Sequence, residues 1–484
     1  MRYILPLTLL LCFSVVQAQN VNTSIKDFGA VGDGITDDTK AVQEAIDYAS
    51  ENKLKIRFTS GTYMTGMIHL KSNVEIELEQ GATWQAIPDL DLYPEIKSNA
   101  DLSQKGGYTM SRRAFIWGDN IENVVLSGNG TIYPSGDEHK AFPMMEENGS
   151  KRPYGIYFRN SKNILVKNLH LRNSAFWMLR FFLCTDVRVT GIDLYNHANT
   201  NNDGIDIVDC HRVVVSDCVI DSSDDALCLK TEAPFGTADV VINNCILSST
   251  ASALKFGTGS FGFFKRIVAS NIVIRPTRAP KVIHNLQVPE GITGIGIMSV
   301  DGADIQDLRF SNISIKGTLA PIFIRLNKRH KTTHTEYNDV VITPGTINGI
   351  HFSDISASDC GPISANIAGY PGHYVENISF NNVQLGYGKK GDKADISKQV
   401  PENDKGYPNP MMYGMNLPSF GLYFRHVRNV ILTNVSLISA IDEPRKSIFL
   451  EDVHNLNAQN ILTDFKKTNS EAIATKNCTS IVVN

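Results

Sequence analysis

Two short segments hold the densest set of reactive side chains. Asn201-Asn202-Asp203-Gly204-Ile205-Asp206-Ile207 is followed by Ser223-Asp224-Asp225-Ala226-Leu227-Cys228-Leu229-Lys230. Each reads as an acidic turn leading into a short alternating strand, and Asp203 and Asp225 open their strands at the same relative place. If the strands stack, the carboxylates of Asp203, Asp224 and Asp225 converge on one face. Like charges held that close repel, so at least one carboxyl must titrate above its ordinary range. Such a cluster adds no stability. It sets a proton donor beside an ionised base, the pair of groups used on glycosidic bonds.

Bringing these carboxylates together requires strands stacked in register, and the rest of the chain repeats accordingly. Short Val/Ile segments ending in Asn, Asp or Gly recur at residues 163–168, 186–191, 212–217 and 239–244, and the series continues to 456–460. The spacing is roughly 23–28 residues, stretched to about 40–50 where loops intervene, which is the signature of a parallel β-helix. A second strand follows the pattern any–small–apolar–any–apolar at 154–158, 203–207, 225–229, 252–256, 293–297, 320–324, 420–424 and 446–450, with 178–181 supplying the coil after 154. Apolar residues at period two face inward. The outward column then reads Tyr157, Arg180, Asp206, Cys228, Lys255, Gly296, Phe323, and the next reads Arg159, Lys230, Gly257, Met298, Arg325. Charged and aromatic side chains along one sheet face suit a sugar chain, which makes Arg180, Asp206, Lys230, Lys255 and Arg325 candidate substrate contacts.

The expected fold is therefore all-β, a single right-handed parallel β-helix over residues 19–484. Near its start, Thr36 is a candidate N-cap with Asp37 and Asp38 in the first helical turn. Ala41, Val42, Ala45, Ile46 and Ala49 give one apolar face, so a helix over residues 36–49 should cap the open end of the core. Residues 386–418 interrupt the repeats and read as a long loop or a wall of the groove. Residues 85–112 form another insertion that borders the same cleft.

Composition bounds the function. The 484 residues are 42% hydrophobic and 20% charged, which marks a globular chain. A net charge of −4 without a long basic run argues against a nucleic-acid partner. Residues 1–18 read as a signal peptide, with Arg2, an apolar core over 4–16 and Ala18 at the cleavage point. No small residue precedes Cys12, which disfavours a lipoprotein site, and no later stretch is long and apolar enough to span a membrane. The expectation is an exported monomer that needs no cofactor. The cysteines beyond the leader, Cys184, Cys210, Cys218, Cys228, Cys245, Cys360 and Cys478, have no zinc spacing and read as buried thiols stacked in neighbouring repeats, with a disulfide as the alternative.

With these features the chain resembles glycoside hydrolase family 28, the polygalacturonase-like pectin hydrolases. The opening Asp27-Phe28-Gly29-Ala30-Val31-Gly32-Asp33-Gly34 resembles that of many pectin-degrading β-helices. Asn201-Asn202-Asp203 matches the family's Asn-Thr-Asp motif, and Asp224-Asp225 its Asp-Asp motif. The resemblance implies a plant cell-wall type polysaccharide or oligosaccharide as substrate and hydrolysis with inversion. Asp224 would be the general acid, with Asp203 and Asp225 holding and deprotonating the attacking water. Two departures stand out. Ser252 occupies the place of the family's His in Gly-His-Gly, and Gly296 and Met298 the places of Arg and Lys in Arg-Ile-Lys. In the family those cations meet a galacturonate carboxylate, so the departures point away from polygalacturonic acid and toward a rhamnogalacturonan-type substrate, with Lys255, Lys230, Arg180 or Arg325 as substitutes. Two other readings compete. One is a polysaccharide lyase with Lys255 or Lys230 as base and calcium on the carboxylates. The other is a non-catalytic glycan-binding β-helix.

Overall fold

The computed structural model describes residues 23–96, 111–144, 151–283, 287–334, 337, 339–440, 442–467 and 472–484. The leader at 1–18 and residues 97–110 of the 85–112 insertion lie outside the described residues. The chain forms a right-handed parallel β-helix. Strands such as Tyr154–Arg159, Leu179–Phe182, Ile205–Val208 and Leu227–Thr231 pair in parallel, coil upon coil, into one long sheet. A second sheet runs through Lys162–Lys167, Thr185–Thr190, His211–Ser216 and Thr237–Ser249. A third runs through His170–Arg172, Asp193–Asn196 and Val219–Ser222.

The sequence signals have direct causes here. Asn163, Asn168, Asp186, Asp217, Asp239 and Asn244 all hold φ between 53° and 58°. These are the left-handed corners that bracket second-sheet strands, and Asn and Asp adopt that conformation at lower cost than other side-chain-bearing residues. Their side chains also bond from coil to coil: Asn163 donates to Asn123 at 2.8 Å, Asn271 to Asn244 at 3.2 Å, and Asn312 to Asn271 at 2.7 Å. The small residue in the first-sheet pattern answers a close approach. A Cβ on Gly155 would stand 2.6 Å from the Met178 carbonyl, and one on Gly204 would stand 2.4 Å from the Ala226 carbonyl.

Inward residues such as Ile156, Leu179, Ile205, Leu227 and Leu254 stack into one continuous buried core. The thiols fit the same logic. All seven cysteines among the described residues are unbridged, and all but Cys478 are buried.

The N-terminal helix corrects one expectation. It spans Thr39–Asn52, with Val42, Ala45, Ile46 and Ala49 buried over the first coil as expected. Its N-cap position is Asp38, and the cap makes no side-chain bond to the helix. Asp38 instead accepts from the Val31 and Gly32 N–H groups at 2.7 and 3.0 Å. Thr36, expected as the cap, donates its hydroxyl to Asp33 at 2.9 Å. The loop's own unpaired donors compete for Asp38 and hold it.

The 386–418 insertion lies across the first sheet at its C-terminal coils. Tyr413 and Leu417 from this segment form a second buried cluster with Met298, Leu319, Phe323 and Tyr423. Part of the outward column is therefore interior, roofed by the insertion.

Candidate active site

Register places the acidic segments one above the other. Ile205 pairs with Leu227 and Asp206 with Cys228, so Asp203 lies over Asp225 at the mouth of adjacent strands. The Gly204 N–H donates to the Asp225 carbonyl at 2.9 Å, fixing the turns together. Asp224 sits beside them and is the least enclosed of the three. The outward column continues from Arg180 through Asp206, Cys228 and Lys255 to Gly296 and Phe323, in the register expected.

Each carboxylate has a distinct environment. Lys230 Nζ donates to Asp203 Oδ2 at 3.0 Å and also contacts Asp206, while its ammonium stands 3.8 Å above the Trp177 ring. Lys255 Nζ donates to Asp225 Oδ2 at 2.6 Å. Asp224 has no ammonium in contact among the described residues. It accepts from the Asn201 amide at 3.3 Å and from the Asp225 N–H at 3.0 Å. Burial, with Asp225 as the next cause, raises the Asp224 carboxyl above its ordinary range. Burial likewise lifts Asp203 well above that range, with Lys230 opposing and the neighbouring carboxylates adding to the rise. Asp206 is pushed up to about 6 by burial, against the pull of Lys230. Burial alone would lower Lys230 and Lys255. The carboxylates around them reverse this and hold both ammoniums charged.

The turn before Asp203 is ordered by buried amides. Asn196 donates to the Asp203 carbonyl at 2.9 Å, and Asn202 to those of Ser174 and Phe176 at 2.8 and 3.0 Å. Arg152 donates to Asn201 Oδ1 at 3.2 Å and contacts the Thr200 carbonyl. That bond engages the oxygen end of the Asn201 amide, so its nitrogen end faces Asp224. Sequence reading missed Arg152, which lies about 50 residues upstream in no repeat motif. Asn196 and Asn199, just ahead of the Asn201-Asn202-Asp203 motif, are the visible signal of this ordered turn.

Two expected substrate contacts are placed otherwise. Arg180 is 1% exposed. Its guanidinium pairs with Glu232 at 2.8 Å and bonds the Tyr154 hydroxyl at 2.5 Å, among the rings of Tyr157, Trp177 and Phe182. His334 bonds the same Glu232 at 3.2 Å. Burial would raise Glu232, but the Arg180 charge and the His334 bond bring it down to about 2. Arg325 is fully buried under the insertion and donates to the carbonyls of Gly369 and Glu402 at 2.6 and 2.7 Å. A charge outside the core was expected to face solvent; the insertion instead roofs this one and supplies one of its two acceptors, the Glu402 carbonyl.

Several loops wall the acidic cluster. His139 bonds the Ala198 carbonyl at 2.6 Å, Gln287 accepts from Thr250 at 3.0 Å, and His334 reaches Glu232. From the insertion, Tyr407 comes near enough to Lys255 to act on it electrostatically. Asp203 and Asp225 are accordingly 3% and 2% exposed beneath these loops. Donor atoms of Asp203, Asp225 and Cys228 lie within 4.8 Å of one another. With ammonium groups already on both carboxylates, a metal cation there would meet like charge at contact distance.

Ser252 and Gly296 line the floor, and Met298 is buried beneath the insertion. A Cβ on Gly296 would stand 3.1 Å from the Met298 methyl, so this part of the floor is apolar.

A parallel β-helix with clustered carboxylates on its first sheet is the architecture of an enzyme acting on polysaccharide chains. The family model described as glycosyl hydrolases family 28 matches residues 58–405, and the chain belongs to that family. It is an O-glycosyl hydrolase of polygalacturonase-like kind. A probable polygalacturonase of Vitis vinifera is 26% identical over 405 residues, covering 79% of this chain and 78% of the relative. Polygalacturonase-2 of Solanum lycopersicum is 22% identical, covering 75% and 79%. Among solved structures, the exopolygalacturonase of Thermotoga maritima superposes with a TM-score of 0.61 at 19% identity, covering 85% of this chain and 91% of that one. The family 28 exopolygalacturonase of Yersinia enterocolitica gives 0.65 at 17%, covering 92% and 79%.

Proposed function

We propose that this hydrolase is exported and removes an uncharged sugar from the end of a rhamnogalacturonan-type pectic chain, with inversion. One observation carries the reading: Asp203 stacked over Asp225 with Asp224 alongside, beneath surrounding loops. Asp224 protonates the glycosidic oxygen. Asp203 and Asp225 hold the water, and Asp225, ion-paired with Lys255, takes its proton. A raised carboxyl on Asp224 supports the acid's role, because it keeps the proton available toward neutral pH.

The walls favour a chain end over a chain interior. The insertion roofs the first sheet on the C-terminal side of the cluster, and a polymer lying along the sheet would collide with it. The floor favours an uncharged sugar. A uronate needs a cation whose charge is not already matched, while Lys230, Lys255 and Arg180 are each paired with carboxylates of the protein. The same pairing disfavours a lyase. A lysine base must be neutral, and both lysines are held protonated.

The test is a panel of pectic polysaccharides and oligosaccharides, with products resolved by size and anomeric form. Short products released from chain ends, and weak action on unsubstituted polygalacturonic acid, are expected. Rapid random shortening of polygalacturonic acid would overturn both refinements. Asp224→Asn should retain the fold and lose about 10²–10⁴ in rate. Near-normal turnover would remove Asp224 as the acid.

A further inference from the structure

Four carboxylates, Asp203, Asp206, Asp224 and Asp225, share two ammonium groups in this site. Lys230 serves Asp203 and Asp206 from the same coil as Asp225. Lys255, one coil further on, serves Asp225 alone. Adjacent residues in one turn thus receive opposite treatment. Asp225 has a cation on Oδ2 at 2.6 Å, while Asp224 has only an amide and a backbone N–H. The second oxygen of Asp225, Oδ1, is buried and has no hydrogen-bond partner among the described residues.

We infer that Lys255 is a positioning residue that divides the Asp224–Asp225 pair into acid and base, engaging Asp225 Oδ2 so that Oδ1 is the atom that accepts the proton of the attacking water. This rests on the hydrolytic reading above and deepens it. In the step it describes, the water oxygen forms a bond to the anomeric carbon. The bond from that carbon to the glycosidic oxygen breaks, and its electron pair stays on the oxygen, which takes the Asp224 proton. The water proton passes to Asp225 Oδ1, and solvent later restores both groups.

The groups facing Asp225 are Asp203 and Asp206 from the preceding coil, Asp224 in its own turn, Cys228 and Lys230 on its own strand, and Lys255 from the next coil. Tyr407 approaches Lys255 from the insertion. Lys255 lowers Asp224 as well as contacting Asp225. Its removal takes positive charge away from both carboxyls. The bell-shaped profile of kcat/KM against pH should move as a whole to higher pH, which a residue that merely supports the fold would not cause.

The experiment compares the unaltered chain with Lys255→Met and Lys255→Arg on the pectic oligosaccharide it cleaves best. For Lys255→Met, both limbs should rise by about one pH unit or more, and the maximum should fall roughly 10–100-fold, the loss expected when a base is mispositioned. Lys255→Arg should keep the profile in place. If Met does not fold, as judged by circular dichroism, Lys255→Gln carries the same expectation. A bell that only loses height, with both limbs where they stand in the unaltered chain, would overturn the assignment to Lys255 and leave the hydrolytic reading intact. Absence of hydrolysis by the unaltered chain on every pectic substrate would overturn the functional reading and this inference with it.

Discussion

Arg325→Met should loosen the 386–418 insertion from the sheet and widen the substrate range. Arg325 donates to the Gly369 and Glu402 carbonyls and stands 5.5 Å from the Tyr413 ring. Around it, Arg425 donates to the Val400 carbonyl at 2.9 Å and contacts the Glu402 carboxylate, and Asn327 donates to the Gly406 carbonyl at 3.2 Å. Only the Glu402 bond ties Arg325 to the insertion, and one charge-assisted bond gives a gross loss of about 1.5–3 kcal/mol. Met leaves no buried charge to desolvate, which returns part of that, so the net weakening is about 1–2 kcal/mol. Each 1.36 kcal/mol is tenfold in a population, so the detached state should become roughly 5- to 30-fold more frequent. Limited trypsin digestion reads this directly, because Lys389, Lys390, Lys393, Lys398 and Lys405 lie in the segment and cleavage follows the open population. Products from chain interiors should appear alongside those from chain ends. Cleavage within 386–418 at the wild-type rate, with an unchanged product pattern, would refute the idea that Arg325 latches the insertion.

Arg152→Met should lower kcat roughly 10–100-fold with little change in KM, because the Asn201 amide that faces Asp224 loses the bond that orients it. Arg152→Lys should not rescue it, since a single ammonium cannot replace the guanidinium fork; recovery by Lys would count against the relay. For Glu232 the folded carboxyl lies near 2, below its ordinary 4.5. Its contribution to stability is therefore present above pH 4.5 and lost as pH falls from there toward 2, amounting to roughly 3 kcal/mol. Glu232→Gln should lower the Tm at pH 7 by leaving Arg180 buried without its counter-charge, and should flatten the acid side of the Tm–pH curve; an unchanged acid slope would show that other groups set it.

The parts of this molecule that the sequence determined are the periodic ones. A coil repeats every few dozen residues, and its corners need left-handed backbone, so Asn and Asp mark them one after another. Strand register follows from matching corner to corner. Hence the stacking of Asp203 over Asp225, and the outward column through Arg180, Asp206, Cys228 and Lys255, could be read from spacing alone. Partner choice could not. Lys255 faces Asp225 30 residues away, and His334 reaches Glu232 across 102. Such pairings depend on which side chains of neighbouring coils and loops fill the same space, and no local pattern encodes it. Arg325 looked like one more charge on an open face. It serves the fold because the insertion returns over that face and brings the Glu402 carbonyl within reach, beside that of Gly369. Asp38 likewise ties down Val31 and Gly32 instead of the helix start, since unpaired N–H groups that only the folded loop brings near it compete for its oxygens. The repeat fixed where the carboxylates stand; the loops and cross-coil ion pairs, which are long-range and aperiodic, decided what surrounds them.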